Sequence, residues 1–255
     1  MSTVLITGST SGVGLGIAKE FAKAGYDVVL NGLEKEGPEI AATIGKEYNV
    51  KTFYSPANML IAAEIKTMIV EATSKFASID VLINNAGIQH VSAIENFPEQ
   101  KWNDIIAVNL TAAFHTSKAV WQGMKSKNSG RIINIASVHG LVASENKSAY
   151  VAAKHGLVGL TKTLALEGAP VGITANAICS GFAKTPLVEK QITELSKSKM
   201  ISEEEVIQKI LFAKHPIKKF VSSESIGALA LFLASDAASM ITGAAISIDG
   251  GWVAQ

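Results

Sequence analysis

Tyr150 and Lys154 stand four residues apart in Tyr150-Val-Ala-Ala-Lys154, a spacing that puts both side chains on one face of a helix. A tyrosine is a poor base at neutral pH, because an unperturbed phenol ionises at about pH 10. A neighbouring ammonium favours the phenolate. Lowering the pKa to roughly 7 takes about 4 kcal/mol, at about 1.36 kcal/mol per unit. One close cation together with a second positive charge at the site supplies that in a partly dry site. Such a phenol takes the proton from an alcohol while hydride leaves the carbinol carbon, and returns it in the reverse direction. Ser137 follows the apolar run 131–136, where its hydroxyl can hold the reacting oxygen.

A cofactor signal lies at the other end of the chain. Thr7-Gly8-Ser9-Thr10-Ser11-Gly12-Val13-Gly14 follows the run 4–7 and leads into a helical pattern. Glycines at a strand-to-helix turn let the backbone approach a phosphate, whose charge the helix N-terminus favours. The spacing is G-x-x-x-G-x-G and not G-x-G-x-x-G, so position after the first strand carries much of the weight. Ribose recognition is expected at the end of the second strand, which here is Asn31, then Gly32 and Leu33. Asn31 can bond a hydroxyl, Leu33 offers only apolar bulk, and the nearest cation is Lys35. The expected cofactor is therefore NAD, in preference to NADP.

These residues need a scaffold that gathers strand ends on one side. Strand-like runs at 4–7, 27–31, 52–54, 81–84, 131–136, 174–179 and 245–248 alternate with helical patterns at 13–24, 38–48, 60–75, 101–124, 149–167 and 223–234. The alternation predicts an α/β chain, a single-domain Rossmann-type doubly wound parallel sheet spanning residues 1–255. Residues 184–220 carry no strand pattern and read as an insertion, a helical substrate lid, with a plain surface excursion as the alternative.

Composition narrows the function classes. Of 255 residues, 48% are hydrophobic, and 23 Lys and Arg balance 22 Asp and Glu, for a formal charge of +1. No basic stripe favours nucleic acid or an anionic membrane. Cys179 is the single cysteine, which excludes an intrachain disulfide and a multi-cysteine metal site. His90, His115, His155 and His215 show no metal-ligand spacing, and no metal is expected. The N-terminal residues enter a strand at once, without a basic or cleavable leader, so a cytoplasmic setting is expected.

Taken together, these residues resemble the short-chain dehydrogenase/reductase family over essentially the whole chain. The resemblance is carried by the turn Thr7 to Gly14, Asn84-Asn85-Ala86-Gly87, Asn109, Ser137, and Tyr150 with Lys154. It implies that Tyr150 is the acid/base, and that Lys154 binds the nicotinamide ribose and lowers the phenol pKa. Ser137 would orient the substrate oxygen, and Asn109 would hold a water of a proton relay. Cofactor contacts would come from Gly8, Thr10, Ser11, Gly12, Val13 and Gly14, from Asn31 and Leu33, and from Asn58 and Met59 near adenine. Asn85, Ala86, Gly87 and Thr185 would lie toward the nicotinamide. Two positions depart from the family: Asn58 where Asp is usual, and Ser180-Gly181 where Pro-Gly is usual.

Segments 84–90, 132–154 and 185–192 are similar to members of the family that act on small 3-hydroxy acids. That similarity implies a carboxylate held by Gln89, His139, Lys147 and Gln191. A small hydroxy acid has few apolar atoms, so charge-assisted bonds must supply most of its orientation. Phe182 and Trp252 are candidates for the apolar wall, with ordinary aromatic packing an equal alternative. The resemblance also implies a homotetramer built on 101–124, 149–167 and the last helix and strand. The competing readings are a 3-oxoacyl-thioester reductase on the same fold and a cofactor-binding scaffold without turnover.

Overall fold

The computed structural model describes residues 2–254. Among these, seven parallel strands form one sheet in the order β3-β2-β1-β4-β5-β6-β7. They are β1 (Thr3–Ile6), β2 (Asp27–Asn31), β3 (Thr52–Ser55), β4 (Val81–Asn84), β5 (Gly130–Ile135), β6 (Ile173–Ser180) and β7 (Ala245–Ile248). The helices are α1 (Gly12–Lys23), α2 (Gly37–Tyr48), α3 (Ala62–Phe76), α4 (Glu99–Ile106), α5 (Ala112–Lys127), α6 (Ser148–Gly168), α7 (Pro186–Lys199), α8 (Glu203–Val206) and α9 (Ser223–Ala234).

Strand residues alternate between two cores, as the period of two requires. Val4 and Ile6, Val28 and Leu30, and Val81 and Ile83 pack on one side, with residues of α1, α2 and α9. Leu5, Val29 and Leu82 pack on the other, with residues of α3, α5 and α6. Both faces are covered, which is why the strands read as continuous apolar runs.

The strand order reverses between β1 and β4, and at such a switch point ligands bind outside the carboxyl ends of the strands. The turns carrying Gly8 to Gly14, Asn84 to Gly87, Ser137 and Ser180 all leave the sheet on that edge.

One helix differs from its expectation. The single helix predicted at 101–124 is interrupted by a π-helical turn, Ala107–Thr111, between α4 and α5. Asn109 lies in this turn and is buried. Its amide nitrogen donates to the Ile88 carbonyl at 3.0 Å, and its oxygen accepts from the Ile88 amide at 2.8 Å. Both ends of the side chain therefore fix the loop after β4, and that bonding sets the turn that regular propensity does not foretell.

The insertion at 184–220 carries α7, α8 and a π-helical turn, Ile207–Leu211. Thr185 caps α7 by accepting from the Val188 amide at 3.3 Å, while Ser202 and Glu205 form a capping box on α8. Ile192, Val206, Leu211 and Phe212 form a separate apolar cluster within it. Each buried side chain of this kind contributes about 1.5–3 kcal/mol, so the segment has a core of its own. No helix among the described residues is long and apolar enough to cross a membrane.

Candidate active site

The predicted site residues border one continuous cleft at the carboxyl edge of the sheet, except Thr10, Gly14 and Asn109, which stand behind its wall. Gly14 is required by close approach. A Cβ there would sit 2.2 Å from the Gly8 carbonyl oxygen and 2.5 Å from the Asn85 amide nitrogen. Asn85 holds the turn from the other side, donating to the carbonyls of Thr7 at 2.9 Å and Gly8 at 2.8 Å. The first turn of α1 has neither an acidic residue of its own nor a side-chain cap bond to its amides, and it borders the cleft through Gly12 and Val13. That arrangement suits a diphosphate.

The ribose end differs from its expectation. Asn31 borders the cleft, but its amide oxygen accepts from the Gly8 amide at 3.2 Å. Its nitrogen donates to the carbonyls of Ser55 and Ala57, at 3.1 and 2.8 Å. Asn31 therefore ties together the loops after β1 and β3, and both of its amide hydrogens are committed, which leaves only a lone pair on its oxygen to meet a ligand hydroxyl. The polar group facing that region is Glu34, whose carboxylate accepts from the hydroxyls of Thr10 and Ser11. Those bonds hold its pKa below the usual carboxylate value although burial opposes them, so it is charged at neutral pH. Gly32 makes room for it: a Cβ at that position would lie 1.9 Å from the Thr10 hydroxyl and 2.6 Å from the Glu34 carboxylate. Glu34 was not predicted; the glycine that follows β2, where any side chain would meet Thr10 and Glu34, is the sequence signal that could have pointed to it.

At the expected adenine end, the Asn58 amide oxygen already accepts from the Leu60 amide at 3.0 Å, and the Asn58 backbone donates to Glu64 at 2.7 Å. Met59 is buried against the core while bordering the cleft.

Ser137, Tyr150 and Lys154 converge as expected. The Lys154 ammonium is buried, donates to the Ile135 carbonyl at 2.7 Å and lies 5.6 Å from the centre of the Tyr150 ring. Burial lowers the Lys154 pKa to about 8. Burial also raises the Tyr150 phenol above its ordinary value, against the opposing effect of its hydrogen bond with Ser137. In the protein's own surroundings desolvation thus outweighs that hydrogen bond, and the phenolate calls for further positive charge beside it.

Lys147 is the strongest anion signal in the cleft. It is 7% exposed, no carboxylate pairs with it among the described residues, and its ammonium lies 5.4 Å from the centre of the Phe182 ring. Burial lowers its pKa to about 8. An ammonium this enclosed costs free energy to desolvate unless an anion compensates it. Gln89 and Gln191 meet across the cleft mouth, the amide of Gln89 donating to Gln191 at 3.3 Å. Phe182 and Trp252 stack at 5.6 Å and both border the cleft.

His139 occupies a more constrained place than its predicted role requires. Its Nε2 pairs with the Ser144 hydroxyl at 2.9 Å and its Nδ1 lies 3.4 Å from the Ser137 hydroxyl. Burial lowers its pKa to about 3, and the charge of Lys147 adds to the effect. The imidazole is therefore neutral. His215, by contrast, is buried at the base of the insertion against Phe182, Phe212 and Trp252. Among the described residues no group of three or more His, Cys, Asp or Glu side chains is arranged to hold a metal ion.

Comparisons with known proteins place this architecture. A family model described as Enoyl-(Acyl carrier protein) reductase matches residues 8–253. The chain is 51% identical over 253 residues to a D-beta-hydroxybutyrate dehydrogenase of Cupriavidus necator, covering 99% of this chain and 98% of that one. A protein of the same name from Rhizobium meliloti is 50% identical over 257 residues, with 99% of each chain covered. A 3-oxoacyl-(acyl-carrier-protein) reductase of Staphylococcus aureus is 37% identical, with 98% of this chain and 97% of that one covered. Among solved structures, an actinorhodin polyketide ketoreductase with NADPH superposes with a TM-score of 0.93 at 32% identity, over 98% of this chain and 97% of the other. With the glycine turn, the Ser137, Tyr150 and Lys154 constellation and the sheet order all in agreement, the chain belongs to the short-chain dehydrogenase/reductase family.

Proposed function

We propose that this protein is an NAD-dependent dehydrogenase of small 3-hydroxy acids, oxidising D-3-hydroxybutyrate reversibly to acetoacetate. The observation that carries the reading is Lys147, a buried ammonium with no carboxylate partner among the described residues, bordering the same cleft as Tyr150 and Ser137. The relatives named for this activity support it at about half identity over nearly full length. Gly8, Ser11, Gly12, Val13 and the first turn of α1 would hold the diphosphate of the cofactor, and Thr185 and Lys154 its nicotinamide end. The bound nicotinamide supplies the hydride acceptor and a positive charge beside Tyr150.

The protein's own groups do the rest. Lys147 takes the substrate carboxylate in a charge-assisted bond, and Gln89 and Gln191 contribute amide donors. Ser137 holds the alcohol oxygen, and the Tyr150 phenolate accepts its proton as hydride departs. Lys154 steadies the phenolate. Residues 184–220 act as the lid, with Gln191 on α7 brought to the mouth opposite Gln89. Phe182 and Trp252 form the apolar wall that excludes water.

Glu34 supports the choice of NAD. A charged carboxylate beside the ribose repels a 2′-phosphate, because like charges placed together at a binding site cost several kcal/mol. Replacing Glu34 with Ser is expected to raise kcat/KM with NADP by about tenfold or more. The value with NAD should stay within about threefold, and parallel steady-state titrations of both cofactors measure the two. This reading is carried with a homotetrameric, cytoplasmic enzyme, for which the exposed apolar side chains Phe114, Leu166, Phe232 and Met240 on and beyond α5, α6 and α9 offer contact surface.

A 3-oxoacyl-thioester reductase is the second reading, favoured by the 37% identical relatives. Its substrate carries no free carboxylate to meet Lys147. The deciding experiment mixes the purified protein with NAD and D-3-hydroxybutyrate and follows reduced nicotinamide, with the L enantiomer, NADP and a neutral secondary alcohol in parallel. Rapid reduction confined to NAD and the D acid is the expected result. Turnover of thioesters and neutral alcohols without the acid would overturn the assignment.

A pH dependence follows from Lys147. The acid binds the protonated ammonium, which is present below about pH 8 and lost above it. The KM for the hydroxy acid is therefore expected to rise through that region, by about tenfold per pH unit at the limit. A Lys147→Met variant should lack this rise.

A further inference from the structure

We propose that His215, which stands behind the cleft wall and not in the cleft, sets the length of acid that the site accepts by backing Phe182 and Trp252. The proposal rests on the dehydrogenase reading. In that reading Lys147 takes the carboxylate, and Ser137 and Tyr150 take the alcohol oxygen. The carbon chain beyond the alcohol is the part left for an apolar wall. Phe182 and Trp252 supply it: the Lys147 ammonium lies 5.4 Å from the centre of the Phe182 ring, and the Trp252 ring meets His139 edge-on at 5.4 Å.

The three rings form a closed triangle. Phe182 stacks on Trp252 at 5.6 Å and on His215 at 5.7 Å, and His215 lies 5.0 Å from Trp252. Phe182 and Trp252 border the cleft, whereas His215 does not and is only 1% exposed. It therefore fills the corner behind the other two, with Phe212 packed against it at 5.4 Å. Gly181 leaves room for the imidazole, since a Cβ there would lie 2.9 Å from its ring. The backbone around His215 is tied to both loops that carry the wall. The Val221 amide donates to the Phe182 carbonyl and the Ile217 amide to the Gly250 carbonyl, each at 2.9 Å.

Shape alone holds this ring. Neither nitrogen of His215 has a hydrogen-bond partner among the described residues. Buried polar groups are nearly always bonded, so the imidazole is not in this corner for a bond that it makes. Burial lowers its pKa against the opposing charge of Asp249, and Lys218 adds to the lowering, so the ring is neutral at neutral pH. A neutral flat ring reaches the substrate only through the two rings in front of it, which makes His215 a positioning residue. Truncating it vacates the corner, and Phe182 and Trp252 can then recede and deepen the apolar end of the cleft. One methylene more or less in an apolar pocket changes discrimination about 10- to 200-fold, so a small retreat of the wall suffices.

The test gives wild type, His215→Ala, His215→Val and His215→Phe the cofactor NAD and D-3-hydroxy acids of four, five and six carbons. Reduced nicotinamide is read by absorbance, and NAD affinity by calorimetry. Wild type is expected to favour the four-carbon over the six-carbon acid by about tenfold or more in kcat/KM. In His215→Ala that ratio should shift about tenfold or more toward the longer acids, with NAD affinity within about threefold of wild type. His215→Val, a milder truncation that stands in where alanine does not fold, should shift it the same way by less. His215→Phe, which keeps a flat ring in the corner, should keep the wild-type order. An unchanged ratio in the truncated variants overturns the proposal. So does an equal fall for all three acids, which would mark the ring as structural only. Absence of reduced nicotinamide with every acid in wild type would instead sink the dehydrogenase reading, and the role of His215 with it.

Discussion

Replacing Tyr150 with Phe is expected to lower kcat for hydroxy-acid oxidation by about 100- to 10,000-fold, the usual range for removing a positioned acid/base. The ring keeps its shape, so its packing beside Lys154 and His139 survives. Affinity for NAD, measured by calorimetry, should then stay within about threefold. That separation between turnover and binding is the signature of an acid/base, and a scaffold without catalysis would show neither change. Joint loss of cofactor binding and activity would mean that the phenol supports the cleft and does not run the reaction.

The second large effect is expected at Lys147. A hydrogen bond to a charged group is worth about 1.5–3 kcal/mol, so Lys147→Met should raise the KM for the acid about 10- to 100-fold. Methionine keeps an unbranched apolar stem of similar length while removing the ammonium beside Phe182, which limits the loss of packing. Affinity for NAD is the internal control, because the proposed role of Lys147 is at the substrate end of the cleft. Should KM for the acid stay as in wild type while that for NAD rises, the carboxylate has been placed at the wrong end. The same variant relieves one cause of the low His139 pKa, the nearby positive charge, though burial remains the larger cause.

Most of the sheet is legible in the sequence because its strands are buried on both faces. Runs such as Val28 to Leu30 and Val81 to Ile83 have no polar alternation to confuse, and each of the seven strands begins and ends within one residue of its expected place. The site was legible where chemistry depends on residue type at a fixed helical spacing, as with Tyr150 and Lys154. It was not legible where a side chain is redirected by tertiary contacts. Asn31 sits at the expected strand end, yet the loops after β1 and β3 both need its amide. Glu34 enters from three residues further along, across space that Gly32 leaves open. His139 lies beside the chemistry as expected, but the two serines that flank its ring belong to different parts of one loop, and no spacing rule joins them.

The π-helical turn at Ala107–Thr111 bears on which changes of chain length the fold can absorb. Deleting one residue there would restore an even helix from Glu99 onward, but each residue turns a helix by about 100°. Either Asn109 would swing away from Ile88, or everything beyond it would rotate. In the second case Thr116, Ser117, Val120 and Met124 would leave the buried side of α5. Substitutions at these positions can be judged one at a time, whereas a single-residue deletion sets the loop after β4 against the packing of α5. Among changes in this region, insertions and deletions should therefore be far rarer than exchanges of one residue for another.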